Sequence, residues 1–195
     1  MESLIRFLAR RLRLRVNRDK SAVDRPWKRD FLGYSMTWHH QPRLKVASES
    51  INKAKAHIRE VIRKGRGCSL RKVMEELTPL LRGWVSYFRL SAVKIAFEEM
   101  DGWIRRKLRS ILWRQWKKPR TRAKKLMERG IDKVRAYTSA YNGRGAWWNA
   151  GASHMNAAIS TKWFAQHGLL SLLTEVQRFV NLSRTAVCRP ARTVV

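Results

Sequence analysis

Apolar residues recur along this chain at two spacings. Leu4, Phe7, Leu8 and Leu12 fall on one face at helical spacing and predict a short helix over 3–13. Leu12-Arg13-Leu14-Arg15-Val16 then alternates with period two, as a half-buried strand does. Asn17 to Lys20 carries turn chemistry and Asp24-Arg25-Pro26 makes a second break. Phe31 to Thr37 reads as another strand, and Asp30 ahead of Phe31-Leu32-Gly33 also suits a tight hairpin. Residues 38–47 form a link around Pro42. Beyond it the helical period takes over. Ser48 is a candidate N-cap for a stripe of Ile51, Ala54, Ile58, Val61 and Ile62 that ends at Gly65 and Gly67. Ser69 caps the next helix, with Leu70, Val73, Met74 and Leu77 inward. Thr78-Pro79 predicts a restart, after which Leu80, Leu81, Trp84, Val85 and Phe88 continue the spacing. A longer helix is predicted over Ile95–Lys117, its inner face made of Phe97, Met100, Ile104, Leu108, Ile111 and Leu112. Residues 137–155, rich in Gly, Asn and Ser and carrying Trp147-Trp148, read as an ordered loop. Residues 156–180 are helical again with a break at Gly168, and the tail 181–195 reads as disordered. No repeat of fixed period is present.

Charge changes this picture more than composition does. Lys and Arg number 43 against 14 Asp and Glu, a formal net charge of +29. A folded domain with that much self-repulsion implies a polyanionic partner. Nucleic acid is preferred to an anionic membrane, because no apolar run approaches the ~20 residues of a span. The N-terminus mixes basic and apolar residues and does not form a secretory signal. Between Trp103 and Arg135 stand 14 Lys or Arg residues and two acids, Glu128 and Asp132. The outer face of the long helix, with the residues after it, therefore supplies the candidate RNA-binding set: Arg105, Arg106, Arg109, Arg114, Lys117, Lys118, Arg120, Arg122, Lys124 and Lys125. The nine tryptophans are expected mostly in the core, with a minority stacking beside RNA. Cys68 and Cys188 read as isolated thiols in a reducing cytoplasm.

Little else offers chemistry. Glu98-Glu99-Asp101 is the one dense group of acids, but neighbours on a helix diverge, so these residues are expected to pair with bases near the start of the long helix. His39, His40, His57, His154 and His167 show no metal-ligand spacing, and GxSxG, P-loop and GxGxxG motifs are absent. No catalytic residue, cofactor or metal is expected. The residues by themselves describe a basic helical binding module preceded by a small βαβ-type element.

Three blocks carry a family resemblance. LRVNRDKSAVDRPWKRDFLGYSMT (14–37) resembles the last blocks of the reverse transcriptase palm in group II intron-encoded proteins, through Val16-Asn17, Lys20-Ser21 and Phe31-Leu32-Gly33. LRGWVSYFRLSAVKIAFEEMDGWIRRKLRSILWRQWKKPRTR (81–122) resembles the maturase-specific region, also called domain X or thumb, and WFAQHGLLSLL (163–173) resembles its end. The resemblance implies a mainly α fold, a helical thumb or maturase bundle preceded by a short α/β remnant of the palm. It implies a remnant and linker over 1–47, a maturase-specific helical domain over 48–180 and a tail over 181–195. The resemblance makes Asn17, Lys20, Phe31, Leu32 and Gly33 a palm-remnant motif; in a complete enzyme of the family Lys20 and the Phe31-Leu32-Gly33 hairpin would lie near the nucleotide and primer end, and here they would be orphaned. Polymerising relatives carry an aromatic-Ala-Asp-Asp motif upstream of the first matching block. This sequence begins after that point and contains no Asp-Asp pair, nor the paired-Cys endonuclease region of some relatives. The resemblance therefore implies binding of group II intron RNA and assistance to its splicing, without catalysis by this chain alone. A DNA target, an RNA/DNA duplex or a separately encoded palm are further partners it allows, and a membrane is not among them. Two alternatives stay open: a thumb fragment of an RNA-directed DNA polymerase working with a separate palm, and an inert remnant of a mobile element.

Overall fold

A computed structural model describes residues 1–18, 21, 23–65 and 67–187, with side chains as far as Asn181. The fold is mainly α, with one two-stranded antiparallel sheet among the described residues.

The N-terminal helix α1 (Glu2–Arg11) forms as its spacing predicts, yet none of its residues is buried, and Leu4, Phe7 and Leu12 stay exposed. Residues 12–16 form no strand, contrary to their alternation. A strand needs a neighbour for its backbone donors and acceptors, and no described segment pairs with this one. Residues 26–28 make a single 3₁₀ turn.

Phe31 and Tyr34 exchange two backbone hydrogen bonds, 2.8 and 2.9 Å, across Leu32 (φ 50°) and Gly33 (φ 76°). Two consecutive positive φ values make a type I′ turn. It leads into β1 (Tyr34–Met36), which pairs antiparallel with β2 (Leu44–Val46), Tyr34 opposite Val46. The sequence reading made β2 part of a link, since three residues are too few to show alternation. The turn is docked, not orphaned. The Gly33 carbonyl accepts from the Ala47 amide (2.9 Å) and from the Ser50 hydroxyl (3.1 Å). A Cβ on Gly33 would come within 2.7 Å of Ser50 Oγ and 3.2 Å of the Phe88 ring. Tyr34 Oη donates to the Tyr87 carbonyl (2.6 Å), and Tyr87 Oη donates to the Leu32 carbonyl (3.0 Å). Val46 and Ala47 are in the core. Residues 31–47 thus pack on the helical body.

The body is built from α2 (Ser48–Lys64), α3 (Leu70–Tyr87), α4 (Ile95–Gln115), α5 (Pro119–Met127), α6 (Lys133–Ala140), α7 (Ala146–Gly151), α8 (Ser153–Ala158), α9 (Thr161–Gln166) and α10 (Leu172–Val187). Ala47, not Ser48, is the N-cap of α2, so the Ser48 side chain is one residue too late to cap. Ser69 does cap α3, accepting from the Lys72 amide at 3.3 Å. Helix α3 runs through Thr78-Pro79 without restarting. Proline withholds the N–H that the Glu75 carbonyl would accept, but Leu77 and Leu81 on either side are both held in the core, so packing carries the helix across. The segment 137–155 contains the end of α6, all of α7 and the start of α8 instead of a loop, because helices of six residues are too short to display a period. Helix α10 extends to Val187, past the expected end at 180; the rest of the expected tail, 188–195, lies outside the described residues.

Helix α4 is the axis of the molecule. Its stripe of Phe97, Met100, Ile104, Leu108 and Leu112 packs toward α3 and α10, while Arg109, Ser110 and Trp113 are also buried, on the side facing α7 to α9. Asp101, 4% exposed, ties α4 to α10. Its carboxylate accepts from the Leu172 amide (2.9 Å), the Leu173 amide (3.2 Å) and the Ser171 hydroxyl (2.8 Å), capping α10 from another helix. Glu98 and Glu99, its neighbours, are exposed.

Two substitutions test this arrangement. Asp101→Ala leaves buried amides of α10 without an acceptor and is expected to cost about 2 kcal/mol or more, whereas Glu98→Ala should stay within about 0.5 kcal/mol. Phe88→Ala, which empties the space between Tyr34, Trp84 and Gly33, should cost about 3–5 kcal/mol. Urea unfolding midpoints measure all three; equal midpoints for Asp101→Ala and Glu98→Ala would show that the cap carries no weight.

Candidate nucleic-acid interface

Because α4 is buried on two sides, its basic run cannot all face outward. Arg109 is 7% exposed; its Nε donates to the Ile159 carbonyl at 2.8 Å and its guanidinium lies 5.5 Å from the Phe164 ring centroid. Burial first, and then the nearby charge of Arg105, push its pKa down to about 10, so it stays charged at neutral pH. Arg105 is largely covered and lies 4.0 Å from the Asp101 carboxylate. Arg106 donates twice to the Trp147 carbonyl (3.3 and 3.2 Å) and stacks 4.2 Å from the Trp147 ring, in space kept open by Gly151, whose Cβ would fall 2.8 Å from the guanidinium. Arg122 covers Trp113 at 4.8 Å, and Lys125 pairs with Glu128 at 2.8 Å. These five of the ten predicted residues are engaged within the protein, and Arg109 in particular is a structural group, unavailable to a ligand. The others, Arg114, Lys117, Lys118, Arg120 and Lys124, are exposed.

Two of the exposed residues, Arg114 and Lys117, line a groove of about 1010 Å³ between α2 and α4. Arg59 and Arg63, one turn apart on α2, form the facing wall, with Ile62 and Ile111 between and Trp147 of α7 at the border. Lys107 lies in the same groove, 5.6 Å from the Trp103 ring and 4.7 Å from the Trp147 ring. Arg59 covers the other tryptophan approach, 5.2 Å from the Trp103 centroid. Burial, and then repulsion from Arg59 and Arg114, lower the Lys107 pKa from its ordinary value. The one acid lining the groove, Glu60, is already paired with Lys64 at 2.9 Å. The groove therefore presents converging positive charge over a partly aromatic, partly aliphatic floor, which suits a chain of phosphates carrying bases.

Sequence reasoning missed Arg59 and Arg63, though their spacing of four placed them on one face of α2. It read that helix for its apolar stripe alone. Trp147 was assigned to a loop, and only the packing of α7 on α4 brings it to the groove. Of the palm-like motif, Asn17, Phe31 and Leu32 have exposed side chains, Gly33 is in the docked turn, and Lys20 lies outside the described residues. Among the described residues no group of three or more His, Cys, Asp or Glu side chains could hold a metal ion, and no helix is long and apolar enough to cross a membrane.

On another side of α4, His154 is 5% exposed and its ring lies 5.5 Å from that of Trp113, tilted by 49°. Burial, and then the charge of Arg135, lower its pKa below 6.5. The unfolded chain thus binds a proton that the native state refuses. The stability His154 contributes is complete above its unfolded pKa and falls as pH drops below it. Melting temperatures from about pH 7 to about pH 5 should decline more steeply in the parent than in His154→Gln; parallel curves would rule this out.

Residues 51–130 match the family model described as the group II intron, maturase-specific domain. The match spans both walls of the groove, α3 and α5, and stops short of Trp147. A comparison with curated proteins finds no match to the chain.

Proposed function

We propose, from the premise that residues 51–130 form a group II intron maturase-specific domain, that this protein binds group II intron RNA along the α2–α4 groove and assists its splicing. The observation that carries the reading is the convergence of Arg59, Arg63, Lys107, Arg114 and Lys117 on one groove whose only acid is already neutralised. A-form RNA offers phosphates and 2′-hydroxyls along a shallow minor groove, which helices bearing Arg and Lys can follow without reading sequence. A phosphate between the two walls relieves the repulsion that Arg59 and Arg114 impose on Lys107. The protein's part is to neutralise and hold the folded RNA, and the bond-breaking chemistry belongs to the RNA.

A second reading, a thumb acting with a separately encoded palm, is favoured by the apolar side chains left uncovered within the first 32 residues: Leu4, Phe7, Leu12, Leu14, Val23, Phe31 and Leu32. Either way, the chain alone is expected not to extend a primer. Nucleotidyl transfer needs convergent carboxylates around Mg²⁺, and the sequence offers no adjacent pair of aspartates. Template-directed extension by the purified chain above a no-protein control would refute that expectation.

Salt dependence tests the groove. Each phosphate neutralised contributes a log–log slope of about −0.7 to −0.9. Replacing Arg59, Arg63, Arg114 and Lys117 together by Gln should weaken intron RNA binding and flatten the slope by about three, measured by filter binding from about 50 to 500 mM salt. Lys118→Gln with Lys124→Gln, outside the groove, should do much less. A groove variant that is folded by circular dichroism and keeps both affinity and slope would place the RNA elsewhere.

A further inference from the structure

Beyond the groove, and beyond the residues that match the family, lies a surface of a different kind. Between Asp132 and Glu175 the sequence has no acidic residue. Within that stretch the end of α6 and the whole of α7 expose aromatic rings to solvent. Tyr137 and Tyr141, one turn apart on α6, are stacked with centroids 6.3 Å apart and planes 12° from parallel. Tyr141 is 61% exposed and Trp148 45%. The Arg144 guanidinium lies 4.1 Å from the Trp148 ring centroid. Exposed rings of this size normally find cover, and a solvent-facing aromatic group edged by Arg and free of acids matches the platforms that hold single-stranded nucleic acid.

The connection between the rings is rigid. Asn149 is fully buried; its amide donates to Asn142 Oδ1 (3.3 Å), to the Arg144 carbonyl (2.8 Å) and to the Gly145 carbonyl (3.2 Å), and accepts from Asn142 Nδ2 (2.7 Å). This single side chain ties down the turn that separates Tyr141 from Trp148. A tied turn holds the rings in place before a ligand arrives, which reduces the ordering cost of binding. The platform also adjoins the groove along α7. Trp147, which borders the groove, and Trp148 are consecutive on α7, about 100° apart around the helix.

We infer that Tyr137, Tyr141, Trp148 and Arg144 form a stacking platform for unpaired nucleotides leaving the end of a duplex whose phosphates lie in the α2–α4 groove. The inference rests on the groove reading for the duplex half of its ligand. The single-stranded half stands on the aromatic surface alone. Stacking tolerates any base because every base has a π-face, so the site selects a junction between paired and unpaired RNA, not a sequence.

The test uses the full chain and two RNAs, a blunt duplex and the same duplex with a short single-stranded overhang, read by fluorescence anisotropy. The parent is expected to prefer the overhang. Tyr141→Ala with Trp148→Ala should lose that preference, by about tenfold or more in affinity, and leave blunt-duplex binding unchanged. Tyr141→Phe with Trp148→Phe keeps the rings and should retain the preference, separating stacking from folding. The four-residue groove variant should lose affinity for both RNAs. Should the parent ignore the blunt duplex yet bind a free single strand through Tyr141 and Trp148, the groove reading fails and the platform stands. Equal affinities of the parent and the alanine variant for the overhang RNA overturn the platform. So does an alanine variant that changes only self-association in sedimentation, which would make the surface a protein-docking site.

Discussion

Helix α4 is buried on two opposite sides, and that constraint organises the rest of the molecule. A helix covered on one side can carry charge freely on the other. A helix covered on both must find partners for the charged groups it turns inward, because an unpaired buried charge costs several kcal/mol. Arg109 meets this demand through the Ile159 carbonyl and the Phe164 ring, Arg106 through the Trp147 carbonyl and ring, and Asp101 through the open N-terminus of α10. These polar groups tie α7, α9 and α10 to α4 at defined positions, where apolar contact alone would fix them less uniquely.

The same accounting decides where charge is left over. With Lys and Arg outnumbering acids 43 to 14, most basic side chains cannot have an acidic partner inside the protein. Some are absorbed by aromatic faces, as Arg122 is on Trp113 and Arg129 on Trp116. Those between α2 and α4 are only partly absorbed: Arg59 and Lys107 lie against Trp103 and Trp147, and burial first, then repulsion from Arg59 and Arg114, lowers the proton affinity of Lys107. The groove therefore gathers positive charges whose mutual repulsion an external polyanion would relieve.

The hairpin at 31–47 shows how a segment with weak local signals acquires its structure. Its strands are three residues each, below the length at which a pair is stable alone. They persist because Gly33 fits against Ser50 and Phe88, and because Tyr34 and Tyr87 exchange hydrogen bonds with each other's backbone neighbourhoods. By contrast, no residue of α1 is buried, and Leu4 and Phe7 on its apolar face stay exposed.

Much of the fold was legible in the order of residues. The stripes of α2, α3 and α4, the Ser69 cap, the tight turn at Phe31-Leu32-Gly33 and the excess of positive charge all follow from local rules that act within a few residues. What tertiary structure decided were the matters that depend on neighbours distant in sequence. Alternation at 12–16 did not become a strand, since a strand exists only with a partner to accept its hydrogen bonds. Pro79 did not end α3, because core packing on both flanks outweighed one missing bond. Above all, the basic run after Trp103 could be counted but not oriented. Sequence spacing places Arg106 and Arg109 opposite the apolar stripe, while only the arrival of α7 to α9 on that side turns them into internal groups and leaves Arg114 and Lys117 facing Arg59 and Arg63 across a groove.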